Sequence, residues 1–182
     1  MLSELQKKKL TRCFRVYDID DDGRIGPADF ERVVENVRVL HGLSDHSPGQ
    51  QALRDGFMRR WASLRDSADG DDDGGLDLAE WLSYWGAVIS HDETYEEVIT
   101  SVVARLLEIF DTDEDGVIGP DEYSDLYSVY GLSADLAREV FGVLDQDGDG
   151  TISREELMEH VHAFYRGDDA DAPGNLLFGP FE

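Results

Sequence analysis

The chain has 182 residues, enough for one compact domain or two small packed lobes. Its 41% hydrophobic and 10% aromatic content describe a folded protein, since a disordered acidic chain is poorer in both. A formal charge of −25, with only 16 lysines and arginines, argues against nucleic acid, whose phosphates need basic patches.

The N-terminal stretch MLSELQKKKLTRC lacks an apolar core of signal-peptide length, and no later run approaches a membrane span. A cytoplasmic protein without a membrane partner is therefore expected. The single cysteine, Cys13, excludes an intramolecular disulfide framework and gives no hint of a zinc cluster.

Four acidic twelve-residue segments punctuate the chain: Asp18–Asp29, Asp69–Glu80, Asp111–Glu122 and Asp145–Glu156. Each is bracketed by helical periodicity. Leu10, Cys13, Phe14 and Tyr17 predict a helix before the first segment, and Phe30, Val33, Val34 and Val37 one after it. Breakers from His41 to Gly49, including Gly42 and Pro48, predict a loop. The helix carrying Phe57, Met58, Trp61 and Leu64 weakens in Arg65-Asp66-Ser67-Ala68 before the second segment. Trp81, Tyr84, Trp85 and Val88 follow that segment, and Ser90 or Asp92 is the expected cap of the next helix. Val103, Leu106, Leu107 and Phe110 lead into the third segment, and Tyr123, Leu126, Tyr127 and Tyr130 leave it. Ser133 is a cap for the helix with Leu136, Val140, Phe141 and Leu144; Leu157, Val161 and Phe164 follow the fourth segment. Pro27 and Pro120, each tenth in its segment, suit the first position of an exiting helix.

The segments hold 22 of the 41 acidic residues and 20 of the 25 net negative charges. Acid that dense is unfavourable unless a cation neutralises it. A hard cation such as Ca²⁺ takes six to eight oxygens at about 2.3–2.6 Å, which a loop supplies by folding around the ion. Positions 1, 3 and 5 provide carboxylates: Asp18, Asp20, Asp22; Asp69, Asp71, Asp73; Asp111, Asp113, Asp115; Asp145, Asp147, Asp149. Position 7 offers a main-chain carbonyl from Arg24, Gly75, Val117 and Thr151, and Asp29, Glu80, Glu122 and Glu156 close the shell. Glycine at position 6 in every segment permits the sharp turn. Asp29 is one methylene shorter than glutamate, so the first segment suits a smaller shell in which Mg²⁺ competes. Gly70, Gly74 and Gly75 make the second costly to order. Apolar Ile25, Leu76, Ile118 and Ile152 at position 8 suit short antiparallel pairings between partner loops.

These four loops are identified as EF-hands, and the whole chain resembles the sarcoplasmic calcium-binding protein group, including its calerythrin-like members. The wide spacing of the first two hands, the Asp29 closure and the tail after the fourth hand carry the resemblance. It implies an all-α fold of four EF-hands in one compact globule, with short β pairings between loops. It also implies calcium buffering, often with magnesium. Relatives of this type commonly have a degenerate second loop, whereas Asp69–Glu80 keeps every side-chain ligand position. The expected organisation is an N-terminal pair over residues 1–89, a C-terminal pair over 90–166, and a tail over 167–182 packing on the core through Leu176, Leu177, Phe178 and Phe181.

With three methionines, an adaptable target groove is disfavoured, so a monomeric buffer is expected ahead of a calcium sensor. A coelenterazine-type ligand carrier is the third reading. His41, His46, His91, His160 and His162 are nevertheless read as solvent-exposed or capping groups. No catalytic constellation stands out, and an enzyme is not expected.

Overall fold

A computed structural model describes residues 1–181; Glu182, the last residue of the tail, lies outside them. The described residues form eight α-helices: α1 (Glu4–Tyr17), α2 (Pro27–Leu40), α3 (Pro48–Ala68), α4 (Leu78–Ile89), α5 (Asp92–Phe110), α6 (Pro120–Val129), α7 (Ala134–Leu144) and α8 (Arg154–Arg166). Two short strands, β1 (Val117–Ile118) and β2 (Ile152–Ser153), and a 3-10 turn at Pro173–Leu176 complete the fold.

Local chemistry explains the helix boundaries. Ser3 and Gln6 form a reciprocal capping box at α1, and Ser47 and Ser133 accept the amides of Gln50 and Leu136 at α3 and α7. Pro27 and Pro120 open α2 and α6, as expected of residues whose missing N–H has no intrahelical use there. Three sequence-level expectations need correction. The predicted loop of residues 41–49 ends early, because Ser47 caps a helix that already includes Pro48 and Gly49. The helix into the second acidic loop does not fade at Arg65, but runs intact to Ala68 with the Asp69 amide donating to the Arg65 carbonyl at 2.9 Å. Neither Ser90 nor Asp92 caps α5; His91 holds that position without a side-chain bond.

One continuous core joins all eight helices. The position-8 residues are its loop-side anchors. Ile25 and Leu76 exchange main-chain bonds of 2.9 and 2.8 Å, while β1 and β2 pair antiparallel with Ile118 opposite Ile152. Each loop pair is thereby clamped back to back, and all four side chains are buried. Parts of the chain far apart in sequence are tied together: Trp81 Nε1 donates to the Leu10 carbonyl at 3.0 Å, Asn36 Nδ2 to the Val129 carbonyl at 2.7 Å, and Trp85 stacks on Tyr165 with ring centroids 4.2 Å apart.

The segment after α8 folds back onto α7 and α8. Leu177 is buried, its carbonyl accepts from the Tyr123 and Tyr127 hydroxyls, and Phe178 packs edge-on against Phe164. Lys9, completely buried, donates to the carbonyls of Ala163 and Gly167 at 2.8 Å each and to Asn175 Oδ1 at 3.0 Å. That ammonium ties α1, the end of α8 and the tail together.

Candidate metal sites

Each acidic loop hangs between the end of one helix and the start of the next, so its ligands are positioned by two packed helices. The first carboxylate of each loop is also the C-cap of the entering helix. Its oxygens turn back over the loop: Asp18 accepts the amides of Asp22 and Gly23, and Asp111 those of Asp115 and Gly116. Asp69 and Asp145 accept from Gly74 and Gly150, both at 3.0 Å. Position 6 carries positive φ throughout, from +88° to +91° at Gly23, Gly74, Gly116 and Gly150.

The position-12 carboxylate closes the loop from the exiting helix. Asp29 accepts from Ile19 at 2.8 Å and from Gly26 at 2.7 Å. Glu80 spans Gly70 and Asp77, and Glu122 spans Thr112 and Gly119. Position 5 is set by the amide of position 7: Arg24 on Asp22, Gly75 on Asp73, Val117 on Asp115 and Thr151 on Asp149. These bonds hold negative oxygens together before any ion contributes.

Ligand atoms converge within 4.8 Å in four groups: Asp18, Asp20 and Asp22; Asp69, Asp71 and Asp73; Asp111, Asp113 and Glu122; Asp145, Asp147 and Glu156. Asp29, Glu80, Asp115 and Asp149 stand outside these groupings, engaged with backbone amides. Asp20 Oδ1, Asp69 Oδ1 and Glu156 Oε1 are buried and, among the described residues, accept no hydrogen bond. A buried carboxylate oxygen without a donor is unfavourable, and a hard cation is the partner that oxygen-only loops of this kind fit.

The closing carboxyls differ. Burial raises Asp29 above the ordinary carboxylate range, against the pull of the Gly26, Ile19 and Asp20 amides. Glu122 is lowered: burial opposes, but the amides of Gly119 and Thr112 outweigh it. Glu156 is lowered chiefly by the Ser153 amide.

Two features escaped the sequence reading. Position 4 is also left-handed, at Asp21, Asp72, Glu114 and Gly148, with φ from +57° to +70°. The Arg24 side chain, counted only for its carbonyl, crosses to the neighbouring loop. There its guanidinium pairs with Asp73 and reaches the Gly75 carbonyl at 3.3 Å, both groups that the sequence places among the second loop's expected ligands. The pairing holds Asp73 below its usual range.

The histidines fit the expected exposed or capping roles: His41, His46 and His91 are exposed, and His160, though only 1% exposed, meets the last carbonyl of α7 (Leu144) with its Nε2 at 2.6 Å and so caps that helix from α8. His162 Nδ1 lies 3.0 Å from the Tyr95 hydroxyl. No helix of the described residues is long and apolar enough to cross a membrane.

Comparison with known proteins points the same way as the geometry. The EF hand family model matches residues 11–34, 102–127 and 137–162, covering the first, third and fourth loops. Calerythrin of Saccharopolyspora erythraea is 25% identical over 169 residues, spanning 92% of this chain and 96% of that protein. A rice (Oryza sativa subsp. japonica) protein described as "Probable calcium-binding protein CML29" is 30% identical over 149 residues, 81% of this chain and 78% of its own. The sarcoplasmic calcium-binding protein of amphioxus superposes with a TM-score of 0.72 over 99% of both chains at 22% identity, a likeness of fold. The chain belongs to the EF-hand family of calcium-binding proteins and is similar to its sarcoplasmic and calerythrin-like members.

Proposed function

We propose that this protein is an intracellular, monomeric calcium buffer that uses all four loops, the first of them shared with magnesium. The observation that carries the buffering reading is the tail. A sensor must expose an apolar groove when calcium binds. Here Leu177 and Phe178 lie against Tyr123, Tyr127 and Phe164, which occupies apolar surface that a target helix would otherwise cover. The ligands proposed are those at positions 1, 3, 5, 7 and 12 of each loop. The N-terminal and C-terminal loop pairs are proposed as its two metal-binding halves, and no enzymatic role is assigned.

The magnesium reading rests on Asp29, whose shorter arm favours a compact six-oxygen shell. Calorimetric titration with calcium, with and without millimolar magnesium, tests both parts. The expected result is four calcium sites, one of them weakened by magnesium. Glu122→Gln and Glu156→Gln should each remove one site; retention of full stoichiometry by either would contradict the assignment of the closing ligand. Calcium-dependent retention of the intact chain on a phenyl resin would favour a sensor over a buffer.

A further inference from the structure

A cavity of about 520 Å³ opens between α2, α3, α4 and α5, lined also by Tyr17 at the end of α1 and Tyr130 just after α6. Its size falls within the roughly 300–1,000 Å³ typical of small-molecule sites. The wall is largely apolar and rich in aromatic rings, with Phe30, Phe57, Trp81 and Trp85 among its residues. Two of its polar groups are donors left without acceptors: Trp85 Nε1 and Arg60 Nε are buried and, among the described residues, make no hydrogen bond. Such donors are unfavourable unless something in the cavity accepts from them.

The charge pattern is equally specific. Arg60 and Arg105 both line this space, and among the described residues neither lies within ion-pair distance of a carboxylate. In a chain with 41 acidic residues and 16 basic ones, guanidiniums should find acidic partners easily. Instead Arg60 lies over the Phe57 ring, its charge disfavoured by burial and by Arg105, and Arg105 Nε donates to the Ser101 hydroxyl at 3.2 Å. Two like charges facing one apolar space repel each other, and an anion between them relieves both. Asp29 and Glu97 also reach the lining, which disfavours a ligand with several negative charges.

We propose that this cavity binds a small amphipathic organic anion, an aromatic or otherwise apolar body bearing a single carboxylate or sulfonate. Arg60 and Arg105 hold the anionic head, and Trp85 with the neighbouring rings takes the body. The guanidinium fork suits a planar or tetrahedral oxyanion, and the aromatic walls suit a flat ring system.

The calcium-saturated full chain can be titrated with 8-anilinonaphthalene-1-sulfonate and, in parallel, with N-phenyl-1-naphthylamine, the same body without the sulfonate. The sulfonate should bind one saturable site more tightly than the amine. Arg60→Met and Arg105→Met should each weaken the sulfonate by about tenfold or more, as loss of a charge-assisted bond does, and leave the amine little changed. Arg138→Met, on the far surface of α7, should change neither. In the unaltered chain, the arginine Nε–H resonance of Arg60 should shift on adding the sulfonate. Equal binding of the two dyes, binding of neither, unchanged sulfonate affinity in both cavity variants, or an unmoved Arg60 resonance would each overturn the proposal. Calcium stoichiometry measured on the same variants reads the loops separately, so failure here is distinguishable from failure of the buffer reading.

Discussion

Arg24 shows how much one side chain can do outside its own loop. Its guanidinium sits on Asp73 and the Gly75 carbonyl, so a cation entering the second loop meets a positive charge already there. Arg24→Ala should tighten calcium binding by the second loop, by less than about tenfold because the pair is solvent-exposed. Site-resolved titration by NMR checks this; an unchanged second loop would mean the arginine yields without cost. Lys9 is the buried counterpart. Burial lowers its pKa to about 8 from 10.5, so between those values the unfolded chain binds a proton that the native chain does not. Its contribution to stability therefore rises with pH across that window, by up to about 1.4 kcal/mol per pH unit. Denaturant unfolding of the native chain and Lys9→Met from pH 8 to 10.5 should give diverging stabilities, and parallel curves would contradict the assignment. Comparing the two chains cancels the tyrosines and Cys13, whose groups burial pushes upward.

At the scale of an element, the tail depends on close backbone approach. A Cβ at Gly174 would meet the His160 carbonyl oxygen at 2.5 Å and its Cα at 2.8 Å. No rotamer relieves a clash with helix backbone, so glycine is what lets the 3-10 turn lie flat on α8. Gly174→Ala should lift the tail and expose Leu177 and Phe178. The expected loss is about 2–4 kcal/mol, given about 1.5–3 for each fully buried large side chain and the incomplete burial of Phe178. Thermal unfolding measures it, and phenyl-resin retention of the variant reports whether apolar surface has been uncovered. An unaltered melting temperature would show that the tail contributes little.

For the whole molecule, charge sets the terms. Twenty net negative charges held in four loops repel one another most at low ionic strength. Without calcium, added potassium chloride should raise the melting temperature. With calcium, mass action should stabilise the fold by about 2.7 kcal/mol for each site at a hundredfold excess over its Kd. Calorimetric melting in chelator at rising potassium chloride checks the first expectation, and melting in excess calcium the second; melting points unmoved by salt or by calcium would contradict the respective one.

The four loops and their helices were legible in sequence because each is a contiguous unit whose ligands, turn glycine and flanking periodicity lie within about one helix–loop–helix. The same holds for the position-8 pairings, where one apolar residue per loop leaves few alternatives. What the sequence alone could not reveal depends on residues far apart in the chain. Arg24 and Asp73 are 49 positions apart, Lys9 and Asn175 are 166, and His160 is 16 positions from the Leu144 carbonyl it meets. The cavity is the clearest case. Arg60 and Arg105 look like ordinary solvated residues on two amphipathic helices, and only the packing of the helices turns them toward one shared cavity, where among the described residues neither forms an ion pair. Local loop geometry is therefore determined by short-range sequence. The pairing of charges, and the surfaces left to a partner, are decided only when the helices pack.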